Sequence, residues 1–351
     1  MALRTVGIVS TGDMGHAIAR VLREAGFRVV TCLQGRSART ARLAAAAGCE
    51  ALPNLDTLVA TSDAVLSVVP PAAAPELAAL LQSAAPPVVL DVRPAEQFAA
   101  GRIPGAVHID LFGVSLNDTD PGPLRAFLWT IAHALALRGL DPRRTAVLCD
   151  EHSGIRAARA FWFLEYFGHP DPRVLDGGFP AWTRAGLPVE TGPAARPSKS
   201  DWPERDAERR DEIVATWRDV LGALDRPGAV ILDTRSDAEY YGEVARSRRA
   251  GAVPGAVHVE WTRNLDADGT FRPAAELKQM YEDAGVTPDK EVIAYCQGGY
   301  RAAHAYLALR LLGYPRVRNY LGSWQEWGDR EDLPLEIPSR AAAPETGRRQ
   351  P

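Results

Sequence analysis

Two segments of this chain share one pattern, VVLDVR at Val88–Arg93 and VILDTR at Val230–Arg235. A short apolar run of this kind, rich in β-branched residues and closed by polar ones, is typical of a strand buried in a parallel sheet. Each run is followed by a second matching segment, IPGAVHID at Ile103–Asp110 and VPGAVHVE at Val253–Glu260. Matched segments that recur in the same order and so far apart indicate a duplicated domain.

Two further pairs of segments extend the repeat. Ala146–Cys149 matches Val292–Tyr295, and Gly177–Trp182 matches Gly322–Trp327. Each copy alternates short apolar runs with helical stretches, which predicts an α/β fold in which helices flank a parallel sheet. All four pairs keep the same order, so the duplication covers most of the chain.

The second copy shows this alternation most clearly. We expect buried strands at Ala229–Leu232 and at Glu291–Tyr295. A helix over Ala302–Leu312 should end at Gly313, because glycine is the usual residue just beyond a helix end.

The first 80 or so residues differ from both copies. Their pattern predicts strands at Thr5–Val9, Phe27–Cys32 and Ala64–Val69, with a helix over Gly12–Ala25 after the first strand. That order is a βαβαβ half of the Rossmann type.

These patterns divide the chain into five parts. A partial Rossmann segment covers residues 1–74, a first repeated domain covers 75–192, and a second covers 211–338. The stretch 193–210 is rich in proline and charge, which predicts a linker. We expect residues 339–351 to form a disordered tail.

Composition narrows the class of protein. The 351 residues are 46% hydrophobic and 24% charged, and the formal net charge of −4 gives no reason to expect nucleic-acid binding. The arginines within Arg246–Arg249 are expected on solvated surface. No apolar run is long enough to span a membrane. The four cysteines are far apart in the sequence, at Cys32, Cys49, Cys149 and Cys296. We therefore expect no disulfide framework and no metal site, and we expect the protein to lie in the reducing cytoplasm.

Cys296 is the predicted nucleophile. It follows the predicted strand Glu291–Tyr295 and precedes Gly298 and Gly299, after which a helix begins. Backbone N–H groups in such a loop, together with the helix N-terminus, favour a negative charge and so lower the pKa of a thiol. Arg301 adds a positive charge at the far end of the loop, which could attract an anionic substrate.

These residues resemble the rhodanese family, over residues 75 to 338 or so. The resemblance rests on the segments Asp91-x-Arg93 and Asp233-x-Arg235, on the two Pro-Gly-Ala turns and on Gly322–Trp327. The two-domain members are thiosulfate sulfurtransferases, in which the second domain usually carries the nucleophile and the first covers the active-site cleft. This chain offers Asp150 where the second copy has Cys296.

The resemblance implies double displacement through a Cys296 persulfide, with cyanide or a thiol, such as that of a thioredoxin-like protein, as the acceptor. The reaction that the resemblance implies needs no metal or organic cofactor. The resemblance also implies which residues form the loop and bind the donor, namely Gln297, Gly298, Gly299, Tyr300, Arg301 and Arg235.

Loop length and charge bear on the substrate. Cys296 and Arg301 are separated by four residues, whereas phosphatases that share the fold use five, so sulfur transfer is favoured over phosphoryl transfer. The charge of Arg301 favours thiosulfate over 3-mercaptopyruvate as the donor. Some family members carry a donor-binding arginine just before the tyrosine that corresponds to Tyr240. This chain has Glu239 at that position. Both donors therefore stay open.

The segment GIVSTGDMG at Gly7–Gly15 resembles the dinucleotide fingerprint of the 6-phosphogluconate and β-hydroxyacid dehydrogenases, with Ser10 in place of the first glycine. The resemblance implies an NADP site built from Gly12, Met14, Gly15, Arg36 and Ser37. It stops near residue 80, which excludes a complete dehydrogenase. The segment is then either a Rossmann half that binds nothing or an NADP-sensing module. In the latter case the rhodanese pair would be regulatory.

Overall fold

The chain begins with a parallel four-stranded sheet. The computed structural model describes residues 3–8, 13–33, 38–66, 73–194, 196–204 and 208–340. The first elements are β1 Thr5–Ile8, α1 Asp13–Glu24, β2 Arg28–Cys32, α2 Ala38–Ala46, β3 Glu50–Leu52, α3 Leu55–Thr61 and β4 Ala64–Leu66. The strands stand in the order β3-β2-β1-β4, which is the order of a Rossmann half.

This segment holds one more strand than predicted. The missed strand is β3, which has only three residues, Glu-Ala-Leu, and no β-branched or aromatic side chain. Its place is decided by pairing with β2, where Val30 lies opposite Glu50. The prediction of a βαβαβ half was therefore one helix and one strand too short. Val9 and residues 67–69, predicted as strand ends, lie outside the described residues.

The first repeated domain has a parallel sheet of order β6-β5-β7-β8. Its elements are α4 Ala74–Leu81, β5 Val88–Asp91, α5 Ala95–Ala100, β6 Val107–His108, α6 Pro121–Ala136, β7 Ala146–Cys149, α7 Ile155–Tyr166, β8 Pro172–Val174 and α8 Gly178–Arg184. Strand β7 is buried along its whole length.

The second repeated domain has five parallel strands in the order β11-β10-β12-β13-β9. After a 3₁₀ turn at Asp211–Ile213 come β9 Val214–Ala215, α9 Trp217–Ala223, β10 Ala229–Asp233, α10 Asp237–Tyr240 and β11 Val257–His258. A second 3₁₀ turn, Trp261–Asn264, leads to α11 Ala274–Asp283, β12 Glu291–Tyr295, α12 Tyr300–Leu311, β13 Val317–Tyr320 and α13 Ser323–Trp327.

The predicted strands and helix of this copy are confirmed, with one shift. Helix α12 begins at Tyr300 and not at Ala302, because Gly299 takes a left-handed conformation (φ +80°) that lets the chain turn directly from the loop into the helix. Gly313, with φ +82°, lies just beyond the helix end, as predicted.

The two copies share one hydrophobic core. Helices α7 and α12 pack against each other, and their side chains Trp162 and Tyr306 are fully buried there. The Tyr306 hydroxyl donates a 2.6 Å hydrogen bond to the Glu165 carboxylate, which joins the helices by a polar contact as well. The face between the copies is therefore packed like a domain interior.

The predicted linker contributes to this core. Trp202 is buried within it, and the Ser200 amide donates to the Ala136 carbonyl at 3.0 Å. Glu204 lies 2.5 Å from His133 of α6. Residues 195 and 205–207 of this stretch, and residues 341–351 of the predicted tail, lie outside the described part. Within the described part, no helix is long and apolar enough to cross a membrane.

Candidate active site

Cys296 is the first residue after β12, the central strand of the second sheet. Parallel strands direct their carboxyl ends to one edge, where loops form binding sites. The Cys296 amide donates to Ser323 Oγ at 3.1 Å, and its carbonyl accepts from the Trp324 amide at 2.9 Å. These contacts hold the cysteine backbone against the start of α13. The whole residue is only 1% exposed.

The loop surrounds the Cys296 sulfur with donors. The Gly299 amide lies 3.1 Å from Sγ. Burial raises the pKa of the thiol, but the charge of Arg301 and the backbone N–H groups of Ala302, Gly298 and Arg301 lower it by more, so the net shift is downward. The arrangement favours a thiolate, which is the nucleophilic form.

The loop geometry requires glycine at Gly299, whereas a small side chain at Gly298 would be tolerated more easily. A Cβ on Gly299 would stand 2.9 Å from Arg159 Nη1 and 3.1 Å from the Leu321 carbonyl oxygen, at a φ that side chains rarely adopt. A Cβ on Gly298 would meet Ser115 Oγ at 3.3 Å, a tight contact that a small shift relieves.

Arg301 is paired and not free. Its two terminal nitrogens bind the Glu239 carboxylate at 2.5 and 2.9 Å. Burial opposes ionisation of Glu239, but the hydrogen bond and charge of Arg301 lower the pKa of that carboxyl to about 2. The residue that departs from the family pattern before Tyr240 is thus the partner of the loop arginine. Much of the charge predicted to attract the donor is already engaged.

Arg235 forms a buried ion pair with Asp233, the last residue of β10. Its Nε and Nη2 bind the Asp233 carboxylate, and Nη2 also donates to the Gly251 carbonyl at 2.7 Å. In the copy without a cysteine, Arg93 makes the same contacts with Asp91 and a glycine carbonyl. The shared contacts tie the strand end to the following turn. A direct donor contact by Arg235 stays a prediction.

Gln297 and Tyr300 are both held by neighbouring segments. Gln297 Nε2 donates to the Arg246 carbonyl at 3.2 Å and to Ser247 Oγ at 3.0 Å, while its Oε1 is buried without a hydrogen-bond partner among the described residues. The Tyr300 hydroxyl lies 2.8 Å from the carbonyl of Leu111 in the first domain. Tyr300 therefore shapes the loop and joins it to that domain.

Asp150 occupies the equivalent place in the first domain, directly after β7. Its carboxylate accepts hydrogen bonds from the amides of Glu151, Arg156 and Ala157, at 2.8 to 3.1 Å. Burial raises its pKa to about 6, although the amides of Ala157 and Glu151 oppose the shift. In the second domain the backbone N–H groups of this loop surround the Cys296 thiol. In the first domain the corresponding N–H groups donate to the carboxylate of Asp150.

The two loops also differ in length. Five residues separate Asp150 from Arg156, whereas four separate Cys296 from Arg301. The alignment of strand ends predicted Asp150 at this place, but it did not reveal the extra residue.

Comparison with known proteins agrees with this geometry. The Rhodanese-like domain family matches residues 73–185 and again residues 216–330, which are the two copies. The chain belongs to the rhodanese family. The thiosulfate sulfurtransferase of Pseudomonas aeruginosa is 35% identical over 283 residues, which cover 79% of this chain and 98% of that protein. The sulfur carrier protein TtuD of Thermus thermophilus is 35% identical over 68% of this chain and 86% of its own length. This chain is a sulfurtransferase of that family.

Solved structures with a similar fold include several of the protein EanB. A structure of EanB in complex with ergothioneine covers 97% of this chain and 96% of its own, with a TM-score of 0.67 and 20% identity. The anaerobic ergothioneine biosynthesis enzyme of Chlorobium limicola, with trimethyl histidine bound, has a TM-score of 0.64, 20% identity and 96% coverage of both chains. At this identity the likeness supports the rhodanese fold and nothing finer.

The N-terminal sheet matches a second family. The F420-dependent NADP oxidoreductase family matches residues 5–94, which supports the predicted Rossmann-like segment. Met14 and Gly15 lie in the first turn of α1, while Gly12, Arg36 and Ser37 lie outside the described residues. NADP binding by this part of the rhodanese therefore stays a prediction.

Two arginines near the rhodanese loop were not predicted as site residues. Arg159, in the middle of α7, contacts the loop from the first domain, and Arg246 stands beside Gln297. Arg246 was assigned to solvated surface with its neighbours, and it is exposed. Arg249 is different, because its guanidinium binds several backbone carbonyls, including that of Trp327 at 2.8 Å. The sequence signal that could have identified Arg159 is the presence of an arginine inside the largely apolar helix α7.

Proposed function

We propose that this protein is a thiosulfate sulfurtransferase that carries sulfur as a Cys296 persulfide and passes it to cyanide or a thiol. The observation that carries the proposal is the buried Cys296 thiol with a lowered pKa, 3.1 Å from the Gly299 amide. The thiosulfate sulfurtransferases among the relatives support it. No metal or organic cofactor enters the proposed reaction.

The reaction runs in two displacements. The Cys296 thiolate attacks the outer sulfur of thiosulfate, the sulfur–sulfur bond breaks, and its electron pair leaves with sulfite. The persulfide keeps one negative charge, which the loop N–H groups and Arg301 are placed to stabilise. Cyanide or a thiolate then attacks the outer sulfur of the persulfide, and the Cys296 thiolate returns as the leaving group.

The charges at the rim of the loop bear on the donor. Arg301 is paired with Glu239, whereas the Arg246 side chain is 58% exposed and only 3.8 Å from the same carboxylate. The Arg246 backbone is fixed to the loop through Gln297. An exposed cation in this place favours a small dianion such as thiosulfate. The alternative donor, 3-mercaptopyruvate, carries one negative charge and would gain less.

Replacing Arg246 by alanine is expected to raise the KM for thiosulfate about five-fold and to change kcat little, because an exposed charge contributes up to about 1 kcal/mol. The effect should shrink at high salt. Steady-state kinetics at two ionic strengths would measure it. Arg143→Ala is the control, since that side chain is 87% exposed and pairs with Asp141. An unchanged KM would remove Arg246 from donor binding.

The donor itself can be assigned by steady-state assay with thiosulfate and with 3-mercaptopyruvate, each with cyanide as acceptor. We expect the higher kcat/KM with thiosulfate. A higher value with 3-mercaptopyruvate would replace the donor and keep the persulfide. Activity with neither would contradict the proposal and favour the nucleotide-responsive protein with a regulatory rhodanese pair.

A further inference from the structure

Each loop is contacted by a helix from the other domain, through equivalent positions. Arg159 is the fifth residue of α7, and its Nη1 donates to the Gly298 carbonyl at 2.6 Å. His304 is the fifth residue of α12, and its Nε2 donates to the Ser153 carbonyl at 2.7 Å. Gly298 and Ser153 each stand two positions before the first residue of their helix. The duplication has thus produced one reciprocal pair of contacts.

The two reaching side chains differ in charge. Burial lowers the pKa of His304 to about 4, so the contact on the Asp150 side is neutral. Arg159 is 1% exposed, and its terminal nitrogens donate to the carbonyls of Gly298 and Val114 and to no carboxylate among the described residues. Its guanidinium lies 3.8 Å from the centre of the Tyr300 ring. Burial lowers the pKa of Arg159, and the neighbouring Tyr300 and Cys296 oppose that shift. A buried cation needs a compensating negative charge, and a Cys296 thiolate would supply it.

The peptide between Gly298 and Gly299 connects Arg159 to the thiol. In a planar trans peptide, the carbonyl oxygen and the following N–H point in opposite directions. Arg159 binds the Gly298 oxygen, and the Gly299 N–H of the same peptide lies 3.1 Å from Cys296 Sγ. Because glycine stands on both sides, this peptide can turn over at low steric cost. Turned over, it would present an oxygen to the thiolate.

We propose that Arg159 is a positioning residue that holds this peptide with its N–H toward Cys296. The domain without a nucleophile would then complete the active site of the other domain. This inference rests on the proposed role of Cys296. It assigns Arg159 no contact with substrate, because the guanidinium acts through the Gly298 carbonyl.

The test is the pH dependence of iodoacetamide alkylation, followed at Cys296 by peptide mass spectrometry in the full-length chain. In the wild type the midpoint should lie below the ordinary thiol value of about 8.5. Arg159→Ala should raise the midpoint by about one pH unit, because the hydrogen bond from the Gly299 N–H to the sulfur and the nearby charge of Arg159 are lost. The kcat/KM for thiosulfate at neutral pH should fall about ten-fold with it.

Two further variants separate positioning from packing. His304→Gln disturbs the equivalent contact at the other loop and should lower the melting temperature without moving the midpoint. Arg159→Lys keeps the charge and should give an intermediate midpoint, and it carries the test where Arg159→Ala does not fold. A wild-type midpoint in a folded Arg159 variant, or an equal shift in His304→Gln, would overturn the inference. An ordinary midpoint in the wild type would instead contradict the proposed function.

Discussion

Replacing Cys296 by serine is expected to abolish thiocyanate formation from thiosulfate and cyanide, with kcat reduced by a factor on the order of 10⁴ or more. A serine hydroxyl stays protonated near neutral pH and cannot store a sulfur atom as a persulfide. Intact mass after incubation with thiosulfate should show one added sulfur in the wild type and none in the variant. The fold should survive, because serine is nearly the same size and the Gly299 amide can donate to its oxygen.

Cys149→Ala is the matched control for this variant. Cys149 is a fully buried cysteine at the end of β7, one residue before Asp150, and burial raises the pKa of its thiol. It is therefore expected to be inert, and its replacement should leave the rate of thiocyanate formation within about two-fold of the wild type. Sulfur transfer by Cys296→Ser, or sulfur loading lost in Cys149→Ala, would contradict the assignment of the nucleophile.

The second large effect is expected for Arg301→Ala, which should lower kcat/KM about 100-fold at neutral pH. Two changes act in the same direction. The cation that lowers the pKa of Cys296 is removed, and the negative charge of Glu239 beside the loop loses its nearest cation. The pH at which activity is half-maximal should move upward. Kinetics with thiosulfate from acid to alkaline pH would show both the lower rate and the shift.

Glu239 provides the internal check on this variant. The double variant Arg301→Ala with Glu239→Gln removes both charges and should recover part of the lost activity, because the buried carboxylate no longer opposes the thiolate. Arg156→Ala is the control at the equivalent position of the other loop, where the side chain pairs with Asp110 at 2.7 Å. It should have a small effect. Equal losses in Arg301→Ala and Arg156→Ala would contradict a specific role for Arg301.

The same ion pair predicts how stability depends on pH. The pKa of Glu239 is about 2 in the folded protein, below the unfolded value of about 4.3. A carboxyl with a depressed pKa contributes stability above its unfolded pKa, and that stability is lost as the pH falls toward 2. In Arg301→Ala this part of the acid dependence should become smaller in melting curves recorded between about pH 5 and 2, because only the Ser236 hydrogen bonds and not Arg301 would then lower the pKa of Glu239.

The amino-acid sequence was enough to predict the duplicated α/β architecture and the place of Cys296 directly after a strand. Both follow from local signals, since buried parallel strands are short apolar runs and the loop after β12 carries glycines just before a helix. It failed for β3, whose three residues become a strand only by pairing with β2. It also could not show that the stretch predicted as a linker places Trp202 in the shared core.

The tertiary structure alone decided how the loop is charged and held. Glu239 is 62 residues from Arg301, and Arg159 is 139 residues from Gly298. No local pattern connects residues so far apart, because their contact depends on how two sheets and the helices between them pack. For the same reason the sequence did not show that Arg301 is paired with Glu239, or that the domain without a nucleophile contacts the loop that holds Cys296.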